Sequence, residues 1–530
     1  MAVREKVRAF LRRPIFRRIP WYRIGAGSIA GGAWLLITLL LRSFGLGVFL
    51  PEVAVDFVVD RIPGQVESFF IQTMGGGAKV LALLAAVAVF LILPGIYATL
   101  YRRVQRWLER RWLVIAFYTL SPAAIVLLAI LPLLDSRFLG SSPIAIGFAA
   151  LGQLLGFWLY AAVLDYFLVD VAARHPQGFS LSRRQFLIGG VAAIAFAVLA
   201  VYGIANLAVK KGRLAFASVQ EMWRKEITPV SEFYIVTKNV IDPSVDAGSW
   251  RLQVGGKVAN PATHSYADLL ARSDPSSPDA AEEFATLECV SNEVGGNLIS
   301  TARWTGIRLS AILDAAILDP DADWIVFRCA DGYTAGIPRD RALDPDTMIA
   351  LFMTDNPLVN PRDFPLAPAH GFPARIVVPG LYGMFHAKWL VEIEATAGEY
   401  KGYWQQKGWT NQGQIRTTTI IATPPDGTVL RGTGPITIGG IAFAGDRGIS
   451  SVEVGVSSGG LITWAEATRK PPTSGLTWVL WTFDWTPPRS GSFRIFARSI
   501  DGTGMPQEAN LASPFPDGSA GYDSITLLVG

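Results

Sequence analysis

The apolar positions of this chain are divided unevenly along its length. Uncharged, mostly apolar runs occupy Ile24 to Leu41, Val80 to Tyr101, Trp112 to Leu134, Phe138 to Leu164 and Phe186 to Val209. Each is long enough to cross about 30 Å of hydrocarbon as a helix, so five membrane spans are predicted within residues 1–210. Beyond residue 210 the texture becomes that of a globular protein rich in Pro, Gly, Asp and Trp. Trp250 to Val254 and Trp324 to Cys329 read as strands. Leu309, Ile312, Leu313 and Ala316 fall at helical spacing, which predicts a short helix over Thr305 to Ala316 with one buried face. From about Thr423 short alternating runs take over: Val452, Val454 and Val456; Val479, Trp481, Phe483 and Trp485; Phe493, Ile495 and Ala497. Turn signals such as Asp426-Gly427 and Ser458-Gly459-Gly460 separate them, the pattern of a small antiparallel sandwich. The expected fold class is therefore multi-domain: a helical transmembrane bundle (1–210), a short amphipathic linker (211–227), an α+β domain (228–420) and an all-β sandwich (421–530).

The mean hydropathy of +0.34 over 530 residues is too high for a wholly soluble protein. A net charge of +4 comes largely from basic clusters beside the apolar runs, which excludes nucleic-acid binding as its explanation. Arg4, Lys6, Arg8, Arg12, Arg13, Arg17, Arg18 and Arg23 precede the first span, Arg102, Arg103, Arg106, Arg110 and Arg111 separate spans two and three, and Arg174, Arg183 and Arg184 separate spans four and five. The alternate loops are poor in basic residues, so the N-terminus is expected in the cytoplasm and everything after residue 210 outside it. Ser182-Arg183-Arg184-Gln185-Phe186-Leu187 looks like a twin-arginine export signal, a route that carries folded domains. None of the four histidines falls in a predicted span, so a bis-histidine haem within the bilayer is excluded. Asp165 and Asp170 read as tolerated carboxylates near a span end. Two cysteines in so long a chain exclude a disulfide framework.

Candidate chemistry centres on Thr286-Leu287-Glu288-Cys289-Val290-Ser291-Asn292-Glu293-Val294-Gly295-Gly296. An apolar, strand-like approach ends at Cys289, and the following glycines let the backbone turn sharply and crowd a ligand. A thiolate on such a loop can ligate a soft metal, although a buried or disulfide-bonded cysteine is the commoner use of the residue. Cys329 alternates with Ile325 and Phe327 and reads as core, and a Cys289–Cys329 disulfide is the alternative that would leave no ligand.

Cys289-x-x-Asn292, the run Ser300-Thr301-Ala302-Arg303-Trp304-Thr305-Gly306 and His370-Gly371-Phe372-Pro373-x-Arg375, in that order, resemble the molybdenum-cofactor domain of the sulfite oxidase family over about residues 225–530. The resemblance implies a molybdenum–molybdopterin cofactor with Cys289 as the protein ligand to the metal. It implies phosphate and pterin contacts from His370, Arg375, His386, Ala387 and Lys388, from Phe233, Tyr234, Lys238 and Asn239, and from Asp331. Arg303 is a further cofactor contact on this reading, with a structural ion pair as its alternative. Tyr400, in Glu399-Tyr400-Lys401-Gly402, is the tentative catalytic residue, its phenol orienting substrate or relaying a proton. The sandwich resembles the family's immunoglobulin-like C-terminal domain, which implies a homodimer, a monomeric spacer being the alternative.

This chain departs from the family where charge matters. Glu293 and Val294 stand where sulfite oxidases have paired arginines, Phe385 replaces another arginine, and Lys238 stands where arginine is usual. An oxyanion needs concentrated positive charge to offset its desolvation, so weak or absent sulfite oxidation is expected. The expected function is a membrane-anchored, extracytoplasmic oxidoreductase that performs two-electron, oxygen-atom-transfer chemistry on a small-molecule substrate. With no CxxCH and no haem-binding pair, electrons pass to or from a separate cytochrome or quinone-linked partner. The competing expectations are a sulfite oxidase proper and a non-catalytic binding or sensory ectodomain on a bilayer anchor.

Overall fold

The computed structural model describes residues 21–44, 46–66, 70, 77–134, 143–171, 212–239, 242–458 and 461–530. The chain divides into two compact units, Met1–Ile62 with Gly77–Leu207 and Pro63–Gly76 with Ala208–Gly530.

Among the described residues of the first unit, four helices are long and apolar enough to cross a membrane: Trp21–Ser43, Leu81–Leu108, Arg111–Leu134 and Ile146–Asp170. They coincide with the first four runs. The fifth run, the twin-arginine-like motif and His175 lie outside the described residues. Small residues let the helices approach closely: a Cβ on Gly27 would sit 2.4 Å from the Cβ of Ala98. Buried polar groups are paired, as an apolar surround requires. The Trp34 indole donates to Gln153 Oε1 at 3.1 Å. Arg111 bridges Asp165 and Asp170, each at 2.6 Å, and the Tyr101 hydroxyl also donates to Asp165.

The second unit is built on four sheets. One has the strand order β2-β1-β9-β5-β6, from β1 (Arg251–Gly256), β2 (Ala262–Ser265), β5 (Trp324–Cys329), β6 (Thr334–Pro338) and β9 (Leu390–Thr396). A second, β3-β4-β7-β8, comprises β3 (Ala280–Glu288), β4 (Ile299–Arg308), β7 (Met348–Thr354) and β8 (Arg375–Val377). The expected strands at Trp250 and Trp324 are β1 and β5. The helix carrying Leu309, Ile312, Leu313 and Ala316 buries those four side chains, but it spans only Leu309–Ala316. Thr305 to Arg308 instead continue β4, because Trp304 and Ile307 pair with Met353 and Ile349 and fill the interior as strand residues.

The remaining strands form two facing sheets. One, β10-β12-β16-β15, contains β10 (Thr418–Thr423), β12 (Ile436–Phe443), β15 (Thr468–Arg469) and β16 (Val479–Trp485). The other, β11-β18-β17-β13-β14, contains β11 (Val429–Leu430), β13 (Ile449–Ser458), β14 (Leu461–Glu466), β17 (Gly491–Asp501) and β18 (Asp523–Val529). Val452, Val454, Trp481, Trp485, Phe493, Ile495 and Ala497 meet in one core, as period-2 alternation requires.

Two features tie the sheets together. The Trp478 backbone donates to Thr286 Oγ1 at 2.9 Å, and the Thr286 backbone donates to the Leu476 carbonyl at 3.0 Å, so the segment before β16 lies along β3. Residues 212–227, expected as a linker, lie against the fold and bury two side chains, Phe216 and Met222, and the Phe216 N–H donates to the Ala422 carbonyl at 2.8 Å.

Candidate active site

Strand β3 delivers its last residues to a loop that β4 closes. The Cys289 N–H donates to the Leu298 carbonyl at 2.9 Å, sealing the loop. Inside, the Asn292 amide donates to Glu288 Oε1 at 3.0 Å while its oxygen accepts from the Leu298 N–H at 3.0 Å. Asn292 thus replaces the hydrogen bonds that the turning backbone forgoes. Gly295, at φ +75°, adopts a conformation that glycine enters without strain. The loop presents Cys289 Sγ to a cavity, 3.1 Å from the Ser291 hydroxyl. Neither cysteine is in a disulfide, which overturns the disulfide alternative. Cys329 is buried in the core of the β1–β9 region, and burial pushes its thiol well above the ordinary range.

The cavity measures about 900 Å³ with its open mouth included. Of the residues anticipated at the site, Phe233, Tyr234, Lys238, Cys289, Asp331, His370, Arg375, His386 and Lys388 line it. Strand β8 brings in Arg375, which is only 5% exposed. Its Nη1 donates to the His370 carbonyl at 3.2 Å, its Nη2 donates to the His386 carbonyl at 3.3 Å, and its Nε is buried without a partner. The guanidinium lies 4.9 Å from the Trp304 ring, and burial lowers its pKa to about 10.

Both histidines are held neutral. His386 Nδ1 accepts from the Val378 N–H at 3.3 Å and its Nε2 lies 3.0 Å from the Leu381 carbonyl, which fixes the tautomer with the proton on Nε2. Burial first, then the Arg375 charge, push its pKa down to about 3. His370, edge-on to Phe233, is pushed down to about 4 by burial and by the Arg375 and Lys388 charges. Lys388 Nζ donates to the Ala369 carbonyl at 3.0 Å and stands 4.4 Å from the Trp389 ring. Lys238 Nζ lies 5.5 Å from the Tyr403 ring. Asp331 is steadied from two sides, accepting the Tyr333 N–H at 2.9 Å and the Asn239 amide at 3.0 Å.

Four anticipated residues stand outside the lining. Asn239 acts through Asp331. Ala387 is buried, and its carbonyl accepts from Ile376 at 2.8 Å beside β8. Arg303 is an ion-pair residue: its guanidinium meets Glu282 at 2.8 Å and donates to the Val359 carbonyl at 3.0 Å, so its charge is used on the other side of β4. Tyr400 packs on Gly336 of β6, where a Cβ would lie 2.8 Å from its ring. Sequence reasoning missed Ser291, Tyr333, Met384, Trp404 and Trp409, all of which line the cavity. The cluster Tyr403-Trp404…Trp409, so rich in large aromatics within seven residues, was the available signal.

This donor set fits the implied cofactor. A buried guanidinium with an orphaned Nε, and with no acidic partner among the described residues, calls for an anionic group in the cavity. The sulfur of Cys289 is a soft ligand beside that anion cradle. No cluster of three or more His, Cys, Asp or Glu capable of caging a metal occurs among the described residues.

Comparison with known proteins agrees. Residues 239–404 match the family described as "Oxidoreductase molybdopterin binding domain". The mitochondrial sulfite oxidase of Mus musculus is 29% identical over 321 residues, covering 52% of this chain and 56% of that protein. Sulfite oxidase of Gallus gallus is 28% identical, covering 54% of this chain and 69% of that one. The chain thus spans about half the length of the mouse relative it matches. A solved structure, the sulfane dehydrogenase SoxCD from Paracoccus pantotrophus, gives a TM-score of 0.44 at 22% identity over 51% of this chain and 72% of that one. Residues 239–404 thus carry an oxidoreductase molybdopterin-binding domain, in a chain similar to sulfite oxidases.

Proposed function

We propose that this protein is a membrane-anchored molybdopterin oxidoreductase that acts outside the cytoplasm on a small substrate and exchanges electrons with a separate partner. The observation that carries the reading is that one cavity holds both a cysteine outside any disulfide and a buried arginine with an orphaned Nε. When bound, the molybdenum cofactor supplies two-electron, oxygen-atom-transfer chemistry. The chain's own residues bind and orient it: Cys289 as the metal's protein ligand, Arg375 and Lys388 as donors to the phosphate, and Asp331, Lys238, Phe233 and Tyr234 against the pterin. The neutral histidines present hydrogen-bonding edges without adding charge. Trp404, Trp409, Tyr333 and Met384 line the same cavity and exclude water from it.

The positive-inside pattern and the twin-arginine-like motif support the extracytoplasmic placement, and four apolar helices are compatible with the anchor. Residues 228–420 and 421–530 serve as catalytic domain and immunoglobulin-like sandwich on this reading.

The cavity's charge argues against sulfite. Its cations are Lys238, Arg375 and Lys388, set against Asp331. A bound phosphate carries about −1.5 to −2 charge, and a ligating thiolate adds another, which leaves no cation for a divalent oxyanion. Glu293 is exposed and Phe385 is buried in the core, so neither position supplies one.

The test is molybdenum and pterin content of full-length protein purified from a host that makes the cofactor. About one molybdenum per chain is expected; cofactor-free protein from such a host would establish the non-catalytic ectodomain instead.

A further inference from the structure

The segment that follows the last apolar run in sequence was expected to be a spacer, yet it is bonded to the loop that bears Cys289. The Gly212 N–H donates to Asn297 Oδ1 at 3.1 Å, and the Asn297 N–H donates back to the Gly212 carbonyl at 3.0 Å. Two residues on, the Leu214 N–H donates to the Gly295 carbonyl at 3.0 Å. Arg213 and Gly296 form an antiparallel bridge between these bonds. Residues 212–214 therefore lie as a strap along residues 295–297, the far limb of the loop whose near limb is Cys289.

The strap is itself anchored. Arg213 Nη2 donates to both oxygens of Asp523, at 2.8 and 2.7 Å. Asp523 is 1% exposed and also accepts from the Ile421 N–H at 2.9 Å and from the Ser524 N–H at 2.8 Å, so the sandwich fixes its position. Gly295 is squeezed between the partners. A Cβ there would lie 2.6 Å from Arg213 Nη1 and 2.7 Å from Asp523 Oδ1. Downstream, Phe216 enters the core and ties the strap's other end to Ala422. Segments separated by more than 300 residues thus converge on the back of one loop.

We propose that Arg213 is a positioning residue for Cys289, and that residues 212–214 are a working part of the metal site. Hydrogen bonds from Asn292 fill the loop from within but do not tie its far limb to the fold. The strap and the Arg213–Asp523 pair do so, holding Gly295–Asn297 in place and with it the Leu298 carbonyl that fixes Cys289.

This inference rests on Cys289 being the ligand, and its test separates the two claims. Full-length Arg213→Gln, Arg213→Lys and the milder Asn297→Ala are compared with the unsubstituted protein in detergent. In cofactor-free protein, iodoacetamide alkylation of Cys289 and Cys329 is followed by peptide mass spectrometry. R213Q is expected to raise the Cys289 rate about fivefold, the scale of losing one partly exposed ion pair, with Cys329 unchanged. N297A should raise it less, and R213K should restore most of the protection. In loaded protein, X-ray absorption at the molybdenum edge should show one sulfur fewer per metal in a fraction of R213Q. An unchanged Cys289 rate, or parallel acceleration of both cysteines, would overturn the strap. If unsubstituted protein already lacks the protein sulfur while R213Q still exposes Cys289, the ligand assignment fails and the strap stands.

Discussion

Replacing Arg375 with leucine separates a residue that serves the empty fold from one that serves an anion. Burial takes the guanidinium from its ordinary value down to about 10, and at about 1.4 kcal/mol per unit that corresponds to roughly 3 kcal/mol spent on keeping the charge buried in the unloaded protein. Leucine removes this penalty. It also leaves the His370 and His386 carbonyls without their donors, about 1 kcal/mol each, and loses the contact with Trp304, worth about 1 kcal/mol. These effects nearly cancel, so unloaded R375L should melt within a few degrees of the unsubstituted protein. The loaded protein behaves differently. Two charge-assisted hydrogen bonds to a phosphate, at about 1.5–3 kcal/mol each, weaken retention by roughly 10²- to 10⁴-fold when lost. R375K, which keeps the charge without the fork, should fall between. Metal analysis and released-pterin fluorescence after extended dialysis read retention, and melting of loaded and unloaded samples reads stability. Full cofactor content in folded R375L would refute the anion-cradle assignment. So would a loss above about 3 kcal/mol in the unloaded protein, the mark of a purely structural arginine.

Cys289→Ser should abolish molybdenum retention with melting nearly unchanged, while Cys329→Ser, which places a hydroxyl in the core, should lower the melting temperature and retain the metal. Stability of the unloaded protein should fall as pH drops from 6.5 toward 4.5. Over that window the unfolded chain protonates His370 and His386 while the native state, with pKa values of about 4 and about 3, does not. Buried Glu288, raised to about 7 by desolvation, binds a native-state proton in the same window and opposes one of them, leaving a slope of about +1.4 kcal/mol per pH unit. Denaturant titrations across pH should show H386Q flattening that slope and Glu288→Gln steepening it. Steady-state assays with sulfite and an artificial acceptor should give turnover far below that of a sulfite oxidase, and comparable rates would sink the charge argument.

What could be read from the sequence follows how local each signal is. The four described apolar helices were legible because crossing hydrocarbon needs about twenty consecutive apolar residues, a signal carried entirely by the chain itself. The sandwich strands were legible through strict alternation, and so was the buried face of the helix over Leu309–Ala316, though not its start. Gly306 is a poor helix former, and pairing with β3 on one side and β7 on the other makes Thr305–Arg308 strand. Cys289, His370 and Arg375, named from contiguous motifs, line one cavity. Arg303 and Tyr400 stand outside that lining: a motif fixes proximity in sequence, not the direction of a side chain, and in a strand such as β4 successive side chains point to opposite faces. Arg303 lies on β4 one residue from Trp304, which packs beneath Arg375, and so is turned toward Glu282. The strap over residues 212–214 left no trace in composition or periodicity. Its partners are backbone groups of Gly295 and Asn297, the Asn297 amide oxygen and a carboxylate more than 300 positions away, and pairings over such distances have no local pattern. The parts of this site that depend on which segments meet, rather than on what each contains, are the parts that only the fold discloses.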